Sequence, residues 1–226
     1  MKVECSLLDV ERSDPASQAA ALRQLLAERF PSAMRALGEA LPTGIAAIDD
    51  ATGGLPRPGL TELVCSAPSC GSQLLLGQLL QATRDRGMRV ALVERHAAFD
   101  PASWPPQLLE HLVWVRAKGV EEALSATDLL ARDANLGLLI LDLRHTPRAE
   151  LRRIPSPSWY RLQRAVEPAL LAGVILTPFS LVPSIRLRLE LTHSHSLATL
   201  NQVRPELGAS LAPALIRQRA HATATG

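Results

Sequence analysis

Aromatic side chains are nearly missing from this chain, at 3% of 226 residues. Any core must therefore be filled by Leu, Val, Ile and Ala, and the hydrophobic share of 47% is enough to build one. Cysteine is scarce as well. Cys5, Cys65 and Cys70 are odd in number and have neither paired ligand spacing nor a neighbouring histidine cluster. That argues against a disulfide framework or a zinc site and fits reduced thiols. No apolar run is long enough to cross a bilayer, since the longest, around Leu136 to Leu143, falls far short. Glu4 stands where a secretory leader would need apolar residues. A soluble, cytoplasmic chain is the expectation. Neither sign of charge dominates: Lys and Arg number 24 against 22 Asp and Glu, for a formal net charge of +2. That balance neither demands a nucleic-acid partner nor excludes one on a local patch.

What is present is a long alternation of strand and helix patterns. Residues Asp14 to Phe30 read as one amphipathic helix, with Asp14 as cap, Pro15 in the first turn and Pro31 as stop. Leu22, Leu25, Leu26 and Phe30 form its apolar stripe, suited either to packing on its own core or to docking on a partner. A Pro- and Gly-rich stretch from Leu41 to Gly59 then leads into the main domain. Strands are predicted at Leu60–Cys65, Arg89–Val93, Leu112–Val115, Gly137–Leu143, Gly173–Thr177 and Ile185–Leu191. Helices are predicted at Ser72–Arg86, Val120–Arg132 and Trp159–Leu171. This order implies a mostly parallel twisted sheet between helical layers, a three-layer α/β/α fold. The expected organisation is an N-terminal segment over 1–40, a core over 41–192 and a tail of weak periodicity over 193–226.

In such sheets ligands bind at the carboxyl ends of the strands, and the first strand-to-helix turn is the usual phosphate site. That turn is Ser66-Ala67-Pro68-Ser69-Cys70-Gly71-Ser72-Gln73. Against the phosphate-loop pattern G-x-x-x-x-G-K-[ST], only Gly71 matches. Ser66 replaces the first glycine, Ser72 the lysine, and Gln73 the hydroxyl residue that binds magnesium. Losing the lysine removes a charge-assisted phosphate contact of about 1.5–3 kcal/mol. Pro68 brings no N–H to the cradle.

The order of motifs nevertheless resembles the core of the RecA ATPases. Pro42-Thr43-Gly44 through Asp49, Gly53-Gly54-Leu55-Pro56 and Thr61-Glu62-Leu63-Val64 resemble the stretch ahead of the RecA phosphate loop. Val90 to Glu94 with Phe99-Asp100-Pro101 resembles the second strand and its loop, and Leu138 to Asp142 the Walker B strand ending in its aspartate. On this alignment the position of the activating glutamate falls at His96, and Glu94 lies two residues away. The resemblance therefore implies a RecA-like fold with a degenerate site at Ser66, Gly71, Ser72 and Gln73, a Walker B-like Asp142, no catalytic residue, no cofactor and no metal. The short connection Phe179 to Ser184 leaves no room for a long second DNA loop. After Asp142, Arg144, Arg148, Arg152, Arg153, Arg161 and Arg164 cluster in sequence with Trp159 and Tyr160. That cluster suits a DNA-binding patch that grips phosphates and stacks a base, an acidic-partner site, or a solvated face.

Size, lead-in and eroded loop together are similar to the ImuA family of damage-induced accessory proteins. That resemblance implies a non-enzymatic role in the SOS-induced mutasome. The implied partners are an ImuB-like Y-family polymerase homologue, RecA and an alternative replicative polymerase. The alternatives are a nucleotide-binding RecA-family switch with a divergent loop and a cell-division inhibitor resembling SulA.

Overall fold

A computed structural model of the chain describes residues 40–218 except Ser184. The amphipathic stripe of Leu22, Leu25, Leu26 and Phe30 lies outside the described residues. Leu41 bridges to Leu55, enclosing the short helix α1 (Ala46–Thr52). The Asp49 carboxylate folds back to accept the Thr43 N–H and hydroxyl, both at 2.8 Å, and the Gly44 N–H at 3.0 Å. The Thr-Gly-…-Asp lead-in is thus a self-capped turn.

Seven strands follow with their helices: β1 (Gly59–Cys65), α2 (Ser72–Arg84), β2 (Arg89–Glu94), α3 (Pro106–Leu109), β3 (Leu112–Arg116), α4 (Val120–Leu130), β4 (Leu136–Asp142), α5 (Arg148–Leu151), α6 (Ser156–Val166), β5 (Ala172–Thr177), β6 (Leu187–Leu191), α7 (Arg204–Ala209) and β7 (Ala214–Gln218). They form one sheet in the order β3-β2-β4-β5-β1-β6-β7, in which only the β6–β7 pair is antiparallel. Every residue of β4 is buried, as the unbroken apolar run Leu136 to Leu141 requires of a central strand covered on both faces. The edge strand β3 is only half-buried.

Two apolar layers sandwich the sheet. On one side Leu75, Leu76, Leu79 and Leu80 of α2 pack with Ile45, Leu63, Leu92, Ile140 and Val174. On the other Ala123 of α4 and Leu162 and Val166 of α6 pack with Val93, Leu139, Leu141 and Ile175. Each such leucine contributes about 1.5–3 kcal/mol of burial. The three-layer α/β/α architecture predicted from the alternation is the one observed.

Two local expectations differ from the structure. The helix placed over Trp159–Leu171 instead runs from Ser156 to Val166. Pro157 fits its first turn, and Pro168 cannot continue it. The stretch after His193, expected as a weakly periodic tail, contains α7 and β7, and β7 extends the sheet beside β6. Alternation in β7 is faint because four of its five residues are exposed, so period-two patterning had little to reveal.

Candidate functional site

β1 and β4 both end at the carboxyl edge of the sheet, separated there by β5. β1 delivers the loop Ser66 to Gly71 and then α2; β4 delivers Asp142. The loop closes with Ser69 at φ 51° and Gly71 at φ 81°, and glycine suits the latter because it carries no Cβ. This is the site that the degenerate motif marks.

Arg144 turns back onto the strand end. Its Nε donates to Asp142 Oδ1 at 2.9 Å and Oδ2 at 3.1 Å, its backbone N–H donates to Oδ1 at 3.1 Å, and its Nη2 donates to Oδ2. Its Nη1 reaches across to the Ser72 hydroxyl oxygen. The two charged side chains are 9% and 5% exposed, so the pair is nearly desolvated. Burial works against the guanidinium charge, but the hydrogen bonds and charge of Asp142 outweigh it, and the Arg144 pKa is raised. An arginine therefore reaches the residue at the lysine position from the far side of the site. The aspartate that would orient magnesium is neutralised by that arginine.

Two cysteines stand beside Ser72 at this loop. Cys65 ends β1, its thiol donating to the Leu63 carbonyl at 3.8 Å, and the Cys65 side chain is the largest cause of a Cys70 pKa lowered to about 6. Burial opposes that shift, while the Ser72 backbone N–H, the Ser72 hydroxyl and the Arg144 charge reinforce it. Cys65 is pushed up in turn, first by its bond to Cys70 and then by burial. A polar chain thus runs Asp142–Arg144–Ser72, with Cys70 and Cys65 beside it, in the loop that aligns with the phosphate-loop pattern. Gln73, at the magnesium-ligand position, is drawn aside, its Nε2 donating to the Ala98 carbonyl at 3.0 Å.

The segment after β6 closes the loop from outside. His195 N–H donates to the Ser69 carbonyl at 3.0 Å, and the Ser194 hydroxyl to the Pro68 carbonyl at 2.8 Å. A Cβ built on Gly71 would meet Leu211 Cδ2 at 2.5 Å and His195 Nε2 at 3.0 Å. Arg204 of α7 stacks over Trp104 at 4.8 Å and donates to the Ser103 carbonyl, fastening this cover to the loop after β2.

The position aligned with an activating base carries no such geometry. His96 is exposed, its ring set edge-on to His145 at 6.5 Å. Glu94 is buried and fully engaged: it accepts the Ala98 N–H at 2.6 Å, the Phe99 N–H at 3.1 Å and the Trp114 Nε1–H at 2.8 Å. It organises the turn after β2. Among the described residues no three His, Cys, Asp or Glu side chains stand together as a metal site.

The connection after β5 is fastened too. Glu62, completely buried in β1, accepts the Leu181 N–H at 2.7 Å, the Val182 N–H at 3.1 Å and the Thr177 hydroxyl at 3.1 Å. Arg188 of β6 pairs with it at 2.5 Å and also donates to the Val182 carbonyl at 2.7 Å.

The arginine cluster divides. Arg148 stacks over Phe179 at 4.4 Å, and Arg152 and Arg153 are exposed just beyond α5. Arg161 and Arg164 lie on α6, where Arg161 pairs with Asp128 at 3.2 Å. Trp159, read as a base-stacking aromatic, is corrected by the structure. It is 3% exposed and packs in the core beneath α6, so no base can stack on it. Helical spacing explains the error, because Trp159, Leu162 and Val166 share the inward face while Tyr160, Arg161 and Arg164 point outward. The role of Arg144 also escaped sequence reading. The available signal was its position two residues beyond Asp142.

With this geometry in view, comparison with known proteins gives a consistent answer. The chain is similar to RecA proteins. It is 32% identical over 146 residues to RecA of Streptomyces avermitilis, covering 58% of this chain and 38% of that protein. Against RecA of Leifsonia xyli it is 32% identical over 130 residues, 54% of this chain and 36% of the relative. Against RecA of Tropheryma whipplei it is 30% identical over 130 residues, 54% and 29%. The chain thus spans about a third of the length of the curated relatives it matches. No protein-family model matches it. The likeness and the seven-stranded, mostly parallel sheet agree on a RecA-like fold. Among the described residues no helix is long and apolar enough to cross a membrane.

Proposed function

We propose that this chain is a non-catalytic RecA-like accessory protein of damage-induced translesion DNA synthesis, working in the cytoplasm. It acts through contacts with an ImuB-like polymerase homologue and with RecA, and the alternative replicative polymerase is a third candidate partner. One observation carries the non-catalytic part: Arg144 occupies both Asp142 and Ser72, so the positions that would hold magnesium and the phosphate-binding cation are taken by a pair within the chain.

Phosphoryl transfer needs a cradle of donors, a metal bridging the terminal phosphates and a group that orients the nucleophile. Here the cradle is lidded by His195 and Leu211, the metal-orienting carboxylate is neutralised, and His96 replaces the activating carboxylate. The RecA-like frame survives without these parts, which favours a scaffold whose surface is its working part. Similarity to RecA supports the repair setting, and the partner assignments follow from the resemblance to ImuA proteins.

Two measurements test the proposal. The purified protein should release no phosphate from magnesium-ATP above a buffer control, and it should co-precipitate with an ImuB-like protein and with RecA. Retention of neither partner would sink the adaptor reading, and turnover lost on Asp142→Ala would replace it with an ATP-dependent switch.

A further inference from the structure

The outward face of α6 and Arg132, in the turn after α4, line a shallow groove of about 510 Å³, with Pro157, Tyr160, Arg161, Arg164 and Ala165 on the helix side. Three of those six side chains are cationic and none is anionic. Asp128, on the rim, binds Arg132 and Arg161, each at 3.2 Å. One carboxylate thus holds two guanidinium groups in place and leaves the trio with net positive charge. The Arg132 and Arg161 side chains remain 56% and 58% exposed, so their remaining N–H donors face solvent. Apolar surface adjoins this charge. Tyr160 is 46% exposed, and Leu129, between Asp128 and Arg132 on the chain, is 73% exposed.

We propose that this groove is a docking site for an acidic segment of a partner protein that carries an apolar anchor residue. Guanidinium forks match carboxylates in bidentate geometry, and pairing arginines through Asp128 lowers the rotamer entropy lost when a ligand binds. Pro157, Ala165 and the Tyr160 ring supply an apolar floor beside the charges, which suits a leucine or phenylalanine set among aspartates or glutamates. Single-stranded DNA fits less well. A strand-binding track needs successive aromatic platforms, and Trp159, next to Tyr160 in sequence, is committed to the core. The proposal is independent of the translesion role, because it concerns the chemistry of the occupant and not its pathway.

The test uses fluorescence anisotropy on the full chain with two probes: a fluorescein-labelled synthetic peptide of alternating Glu, Asp and Leu, and a labelled oligothymidylate of equal charge. The peptide should bind saturably and weaken with added salt. Arg161→Glu combined with Arg164→Glu should weaken it by about tenfold or more, while Arg152→Glu combined with Arg153→Glu should change it by less than about twofold. Arg164→Gln, which leaves the Asp128 pairs intact, should weaken it in the same direction and serves if the double reversal fails to fold. A peptide with Leu replaced by Ser should bind more weakly than the parent. Absence of peptide binding, equal loss in both double variants, or tighter oligothymidylate binding lost at Arg161 and Arg164 would each overturn the proposal.

Discussion

Two arginine–carboxylate pairs sit at the two places where a RecA-like core would do its work, and they differ in how they are built. Arg144–Asp142 links residues two apart at the rim of the degenerate loop, and from there the guanidinium reaches Ser72 across the site. Arg188–Glu62 links residues 126 apart in neighbouring strands, with the carboxylate wholly inside the sheet. The first pair ties Asp142 to Ser72 across the degenerate loop. The second holds the connection after β5 as a short fixed turn, through Leu181 and Val182. The contrast shows that a buried carboxylate in this fold is charge-paired either by a residue two positions on or by one in the neighbouring strand. It also predicts different consequences on breaking each pair.

The largest effect is expected at Arg188. Arg188→Ala leaves Glu62 buried without its counter-ion and should destabilise the fold by about 3–5 kcal/mol, read from urea midpoints. Combining Glu62→Gln with Arg188→Met should recover much of that loss, since the uncompensated charge is gone. If the double variant is no more stable than Arg188→Ala, burial of charge is not what the pair manages.

Arg144→Ala should cost less, about 1.5–3 kcal/mol, because removing the guanidinium at the strand end opens Asp142 to water, whereas Glu62 lies wholly inside the sheet. It should also leave ATP turnover absent, since Ser72, Gln73 and His96 are unchanged. Hydrolysis appearing in this variant would mean that Arg144 alone silences the site.

A smaller effect is a titration. The ultraviolet absorbance of thiolate should rise with a midpoint near pH 6 in the folded protein and shift to the ordinary thiol range on unfolding. The Cys70 thiolate is favoured in the fold by the Cys65 thiol, Ser72 and Arg144, so its folded pKa lies below the unfolded one. Cys70→Ser should abolish the acidic step, and Arg144→Ala should move it upward. A midpoint unchanged by Arg144→Ala would remove the arginine from the polar chain.

The legibility of these features follows their range along the chain. The apolar run of β4 announced a strand covered on both faces, and the alternation of strand and helix patterns announced a mostly parallel sheet. Asp142 and the loop at Gly71 were legible as motif positions. The partner of Asp142 was not, although it lies two residues away, because sequence does not show which way a guanidinium folds back. Glu62 read only as part of the Thr61-Glu62-Leu63-Val64 stretch, and nothing local pointed to Arg188. The cover over Gly71 comes from Ser194, His195 and Leu211, whose weak periodicity carried no folding signal. Trp159 was misread because composition reveals that an aromatic lies among arginines, and only helical phase reveals which way it points.

We propose that the loop after β1 is filled from within by Arg144, Asp142, Ser72 and Cys70 and takes up no nucleotide. Isothermal titration calorimetry of magnesium-ATP into the unmodified chain tests it most directly. The account predicts no saturable heat at micromolar nucleotide, with Asp142→Ala giving the same flat isotherm. Saturable micromolar binding that disappears in Asp142→Ala would contradict it.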